Sequence, residues 1–155
     1  MNPTQLIDDY LAGPALLRTS VAGMSDDQLD AAPVVGQWST RQVVAHLCDF
    51  EPIYADRIKR VIAEDRPTFF GGDPDLFAAS LAYATRDVEQ ELTLIEAVRG
   101  QLAGILRSLP AEVFARTGIH SEDGPRTIEQ LLRTITGHIP HHVQFIEQKR
   151  QALGL

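Results

Sequence analysis

The sequence predicts an all-α protein: a four-helix bundle with short extra helical segments in its connections. Three observations carry that expectation. Apolar residues recur at steps of three and four through four long segments, as amphipathic helices require. Three Ser/Thr-x-x-Gln boxes stand just before helical segments, the spacing of reciprocal helix caps. Strand signals are nearly absent, because the β-branched residues fall inside helix-period patterns. The closest hairpin signal, Asp123-Gly124, is followed by Pro125.

Taken in order, Asn2 and Pro3 open a first helix running to about residue 22, with Leu6, Ile7, Tyr10, Leu11, Leu17 and Val21 on one stripe. Pro14 lies inside it and predicts a kink or a break. Ser25 and Gln28 form the first capping box and open a short turn that ends before Pro33. Ser39 and Gln42 form the second box. A long helix follows over residues 40–64, striped by Val43, Leu47, Phe50, Tyr54, Ile58 and Val61, with a bend expected at Pro52. Gly71, Gly72, Asp73 and Pro74 read as a loop and a helix start, giving a helix over residues 75–83. The next helix spans residues 87–109, with Leu92, Ile95, Val98, Leu102, Ile105 and Leu109 inward. Residues 111–115 form a short helical piece before the polar loop GIHSEDGPR. Thr127 and Gln130 make the third box, and the last helix runs over residues 128–151 with Gly154 beyond its end.

The chain has 155 residues, enough for one domain with its own core, residues 1–155. Its net charge of -7 argues against nucleic-acid or anionic-membrane partners, which select basic surfaces. The single Cys48 excludes an internal disulfide and a cysteine-based zinc finger. No apolar run approaches the roughly 18 residues of a membrane span. The first residues, MNPTQLIDDYLAG, lack the basic start of a signal peptide. The expected protein is cytoplasmic and acts on a small molecule.

Three of the five histidines fall within residues 138–142. The stripe of the last helix is Ile128, Leu131, Leu132, Ile135, Ile139 and Ile146. His138 follows Leu131 by seven and His142 follows Ile135 by seven, so both replace apolar residues on the inward face. They project about 40° apart, and this i, i+4 spacing lets two imidazoles grip one metal ion. His141 is rotated about 100° from His142 and points sideways. His46, three after Val43 and four before Phe50, also leans inward from the second long helix. Three neutral imidazoles suit zinc, nickel, cobalt, iron or copper and suit magnesium or calcium poorly. Three protein ligands leave positions open for water and substrate. The competing reading makes each histidine a hydrogen-bonded core residue. Pro140 removes the helical bond to the Thr136 carbonyl and predicts a bend between the two histidines.

Residues 36–51, GQWSTRQVVAHLCDFE, and 137–146, GHIPHHVQFI, resemble the two motif segments of the DinB/YfiT-like superfamily of metal-dependent enzymes. The likeness covers nearly the whole chain in helix order and loop lengths. It implies an up-down-down-up four-helix bundle, often a homodimer. It implies metal ligands at His46, His138 and His142, with nickel or zinc the common ions. It also implies a possible transfer or isomerisation reaction that uses a low-molecular-weight thiol such as bacillithiol, mycothiol or glutathione.

Other residues admit two readings. Asp49, three after His46, either orients a metal-bound imidazole or acts as a base, or else is a solvated charge near a helix start. Glu51 has the same two readings. Trp38 reads as a staple for the helix start, and Cys48 as a small packed side chain. His120 is expected to face solvent. Phe69 and Phe70 read as packing residues. Arg41, Arg57 and Arg60 either hold an anionic substrate or form an exposed basic flank. Three functions follow: a metal-dependent thiol transferase, a metal-dependent hydrolase, or a non-catalytic stress-related dimer with a structural metal. A metal-free helical module is the fourth possibility.

Overall fold

The computed structural model describes residues 3–155, so Asn2, expected to help start the first helix, lies outside the described residues. Four long helices form the body: α1 (Pro3–Val21), α3 (Thr40–Ala63), α5 (Val88–Arg107) and α6 (Ile128–Leu153). Two short helices, α2 (Asp26–Asp30) and α4 (Pro74–Ser80), sit in the connections. All three expected capping boxes form, at Ser25 with Gln28, Ser39 with Gln42 and Thr127 with Gln130. Each box satisfies backbone N–H groups that the helix itself leaves unpaired, and such a cap is worth about 0.5–2 kcal/mol. At the far end of α6, Gly154 adopts the left-handed conformation (φ 74°) that closes the helix.

Polar contacts fix the helix directions. Asp8 near the start of α1 pairs with Arg107 at the end of α5, while Arg18 near the end of α1 pairs with Glu89 at the start of α5. Helices α1 and α5 are therefore antiparallel. Arg150, late in α6, donates to the Ser20 carbonyl late in α1, so these two run parallel. Lys59 of α3 meets Gln101 of α5, and Asp49 meets Arg86 just before α5, so α3 and α5 run parallel. Lys149 reaches back to Gln37 ahead of α3, which makes α3 and α6 antiparallel. The topology is up-down-down-up. The main packing is of α1 and of α3 against both α5 and α6. The consecutive helices α1 and α3 thus face each other across a diagonal.

The expected stripes of α3 and α6 are buried throughout, except that Tyr54 is half-buried. On α5 the stripe drifts. Leu92, Ile95 and Leu102 are buried as expected, but Arg99, Ala103 and Leu106 take the inward positions beyond Ile95, and Val98, Ile105 and Leu109 are only half-buried.

Arg99 is completely buried. Its guanidinium donates to the Glu51 carboxylate of α3, to the Tyr10 carbonyl of α1 at 2.6 Å and to the Ile135 carbonyl of α6 at 3.0 Å. One side chain thereby ties all four long helices at the bundle centre. Pro14 explains part of this arrangement. Proline has no N–H to bond the carbonyl four residues back, so the Tyr10 carbonyl is free for Arg99. Helix α1 continues through Pro14 without the break that the sequence allowed. Glu51, read from sequence as a solvated or functional charge, is instead the buried partner of Arg99.

Three features differ from expectation. First, residues 117–127 are a hairpin and not a loop. β2 (Thr117–His120) pairs antiparallel with β3 (Gly124–Thr127) and parallel with β1 (Thr68–Phe69). Gly124 at φ 73° supplies the turn, and Gly118 lets Phe69 and Val61 close on the strand. Second, His120 is buried rather than solvent-facing: its Nδ1 accepts the backbone N–H of Glu122 and of Asp123, and its ring packs on Phe69. Third, the helix expected to Tyr83 stops at Ser80, because Ala82 turns left-handed (φ 54°), and Tyr83–Thr85 form a single tight turn. Of the two phenylalanines, Phe69 packs in the core while Phe70 is exposed.

Candidate metal centre

His46, His138 and His142 come together, and one ring nitrogen of each lies within 4.8 Å of the others. The local sequence accounts for this. The Ser39 box starts α3 so that His46 points inward in its second turn. On α6 the i, i+4 pair sits on the stripe between Ile135 and Ile146. Pro140 lies between the pair on the exposed outer face, and α6 runs through it unbroken. His141 is also exposed, as its rotation predicts.

The Nε2 atoms of His46 and His138 are 3.0 Å apart. Two nitrogens bound to one ion at ~2.0–2.1 Å would stand about 2.9–3.4 Å apart, depending on whether the angle at the ion is octahedral or tetrahedral. The pair therefore already has the spacing of co-ligands. Burial pushes the imidazolium form down to about 4 for His46, about 3 for His138 and about 4 for His142. At neutral pH all three rings are uncharged and present the lone pairs that a cation needs. The Nδ1 atoms of His46 and His138 are buried and lack a hydrogen-bond partner among the described residues. The facing nitrogens are instead the Nε2 atoms of these two rings, and a cation shared with His142 would draw on them. Three imidazoles fit a divalent transition ion and fit magnesium or calcium poorly.

An aromatic collar surrounds the cluster. The rings of Trp38 and Phe50 lie 5.2 and 4.8 Å from that of His46, and Phe77 packs on Phe50 at 5.6 Å. Trp38, just before the start of α3, is partly buried against the core and also walls a cavity beside His142. That cavity, about 260 Å³, is lined by Trp38, Val43, His142, Phe145, Lys149 and Asp75, among others. Lys149 was not singled out by the sequence, yet it follows His142 by seven and Ile146 by three, which places it on the inward stripe.

Asp49 sits on the flank of His46, and its field partly opposes the fall in the His46 value. One carboxylate oxygen pairs with Arg86 at 2.8 Å, and the other is buried without a hydrogen-bond partner among the described residues. Burial raises the Tyr83 hydroxyl, and the adjacent Asp49 carboxylate adds to that shift. Cys48 is fully buried, and burial raises its thiol. The three arginines weighed as anion ligands are otherwise engaged. Arg41 pairs with Asp26 and Asp30, and Arg60 pairs with Asp56 and Glu64. Arg57 is buried over the Tyr54 and Phe69 rings and donates to the Phe70 carbonyl.

An up-down-down-up bundle with a three-imidazole centre between α3 and α6 is a distinctive combination. The chain belongs to the DinB superfamily, whose sequence profile matches residues 10–146. Among its relatives is the Bacillus subtilis protein named "Putative metal-dependent hydrolase YfiT", 30% identical over 142 residues, which span 91% of this chain and 80% of that one. An Oceanobacillus iheyensis protein, also named a "Putative metal-dependent hydrolase", is 32% identical over 133 residues, 86% of this chain and 77% of that one. The solved structure of Bacillus subtilis YfiT superposes with a TM-score of 0.91 at 28% identity, covering 98% of this chain and 87% of that chain. It is described as "a probable metal-dependent hydrolase with an unusual four-helix bundle topology". Among the described residues no helix is long and apolar enough to cross a membrane.

Proposed function

We propose that this protein is a metal-dependent hydrolase whose divalent ion is held by His46, His138 and His142. One observation carries the reading: three uncharged inward imidazoles converge beside a cavity that reaches one of them, His142. The names borne by the relatives point to the same chemistry. A bound divalent ion would supply Lewis acidity, which lowers the pKa of water toward about 7 and polarises a carbonyl oxygen.

The chain's own residues do the rest. The three rings hold the ion through nitrogen and stay uncharged at neutral pH. Trp38, Phe50 and Phe77 keep water from one side of the cluster, which strengthens electrostatic effects within it. Asp49 sets negative charge behind His46, and Arg86 fixes its orientation. Neither Asp49 oxygen hydrogen-bonds the His46 ring, so Asp49 acts on it only as a nearby charge. Asp49→Asn is expected to weaken zinc binding by less than about tenfold while leaving the fold intact, as read by competition with a chromogenic chelator.

Transfer of a low-molecular-weight thiol is the second reading. The burial of Cys48 requires that any reactive sulfur come from a cosubstrate. Protein stripped with chelator and reloaded with one equivalent of zinc or nickel separates these readings. Metal-dependent release of p-nitrophenol from short p-nitrophenyl esters, lost in His138→Ala, supports hydrolysis. Metal-dependent conjugation of a thiol to an electrophile, without ester cleavage, would replace that reading with thiol transfer. A metal that raises the melting temperature and supports neither reaction would favour the structural role.

A further inference from the structure

The cavity beside His142 has a second polar wall that the metal reading does not use. Lys149 is 1% exposed, yet it carries an ammonium group. Its Nζ donates to the Gln37 side-chain oxygen at 3.1 Å and to the Phe145 carbonyl at 3.1 Å. No carboxylate of the described residues lies within ion-pairing distance of it, and Asp75, the acidic residue of the cavity wall, is exposed. An ammonium has three protons, so two are engaged by neutral oxygens and one is left. Burying a cation with only neutral partners is unfavourable unless an anion completes its shell. Burial accordingly pushes the Lys149 ammonium below its usual value.

The remaining walls are apolar. Trp38, Val43 and Phe145 line the cavity beside Lys149, and His142 stands in the same cavity. The space, about 260 Å³, lies just under the usual range for drug-sized ligands, so it suits a smaller molecule. A single free proton on one buried lysine suits a monoanionic head. A phosphate would call for several donors, which this wall does not offer.

We propose that Lys149 is the anion-recognition residue of this cavity, and that the substrate is a small molecule with an apolar body and a carboxylate. The carboxylate would be bound by Lys149 and the body by Trp38, Val43 and Phe145, with the susceptible bond directed to the histidine cluster. The substrate assignment rests on the hydrolytic reading of that cluster. The anion site itself stands on Lys149 and needs no metal.

Trp38 is the single tryptophan of the chain, so its fluorescence reports on this cavity and on the adjoining His46 ring, which is why the metal-stripped protein is titrated on its own. The probe is hexanoate, with hexanamide as its uncharged counterpart, titrated into metal-stripped and zinc-loaded protein. Hexanoate is expected to change Trp38 emission saturably in the metal-stripped protein. It should bind at least about tenfold more tightly than hexanamide, the scale of one charge-assisted hydrogen bond. Lys149→Gln and Lys149→Met should remove that preference, and Lys149→Arg should retain part of it. Both neutral variants should still take up zinc. Equal binding of hexanoate and hexanamide by the wild-type protein overturns the proposal, and that arm needs no variant. Unchanged hexanoate affinity in a folded Lys149→Gln also overturns it, as does the lack of any saturable response up to high millimolar concentration. Failure of zinc uptake by the wild-type protein would instead remove the hydrolytic reading and leave the anion result standing.

Discussion

Arg99→Met tests the logic of the bundle centre most sharply. The substitution keeps an unbranched apolar stem and removes the guanidinium. It leaves the Glu51 carboxylate fully buried without its cation, and the Tyr10 carbonyl without the donor that replaces the N–H missing at Pro14. Breaking a buried ion pair from one side costs about 3–5 kcal/mol, because the surviving charge is stranded. At roughly 2–4 °C per kcal/mol for a domain of this size, the melting temperature should fall by about 6–20 °C. The deficit should depend on pH with a definite sign. Without Arg99 the folded-state value of Glu51 rises further above that of the unfolded chain. The variant is then least impaired at acidic pH, where Glu51 is protonated, and loses stability as pH rises through the raised value. Replacing both partners, Glu51→Leu with Arg99→Met, should recover most of the loss, because two apolar groups strand no charge. Urea unfolding followed by circular dichroism at several pH values reads all three quantities. A fall under 3 °C in Arg99→Met, or a double variant no better than the single one, would show that Arg99 does not hold the bundle centre through Glu51.

Three further outcomes follow from particular positions. In metal-stripped protein the three site histidines titrate near 3–4 when folded and near 6.5 when unfolded. Between those values the unfolded chain binds more protons, so their contribution is complete above pH 6.5 and is lost as pH falls. His138→Leu should therefore shrink the loss of unfolding free energy between pH 7 and pH 5 by about 1–2 kcal/mol, measured by urea titration, and an unchanged loss would contradict it. Gly13→Ala would drive a methyl into the Arg99 guanidinium and cost about 1–3 kcal/mol, whereas Gly100→Ala, on the exposed face of α5, should gain about 0.4–1 kcal/mol, both read from melting curves.

The parts of this molecule that could be read from sequence are those where local chemistry and tertiary packing agree. The capping residues Ser39 and Thr127 set the starts of α3 and α6, and the inward stripes then place His46, His138 and His142 without knowledge of the loops. The hairpin was not legible because its strands contain Gly118, Gly124 and Pro125, which are poor strand formers. The pairing with Thr68 and Phe69 is set by long-range packing. The burial of Arg99, Glu51 and Lys149 is hard to read from sequence for a common reason. A charged residue is ordinarily assigned to water, yet each stands on its helix's apolar stripe: Arg99 four after Ile95, Glu51 four after Leu47, and Lys149 three after Ile146. A charge at such a register position was the available signal that it is buried and paired. His120 carried no such signal, since its burial depends on the hairpin itself.

Everything proposed for the metal site depends on three imidazoles from α3 and α6 holding one divalent ion and leaving part of its coordination open. X-ray absorption on protein stripped with chelator and reloaded with zinc tests it directly. One zinc per chain is expected, with three imidazole nitrogens at about 2.0–2.1 Å and at least one further, oxygen ligand, and loss of the bound metal in both His46→Ala and His138→Ala. No zinc uptake by the wild-type protein, or uptake that survives both substitutions, would contradict it.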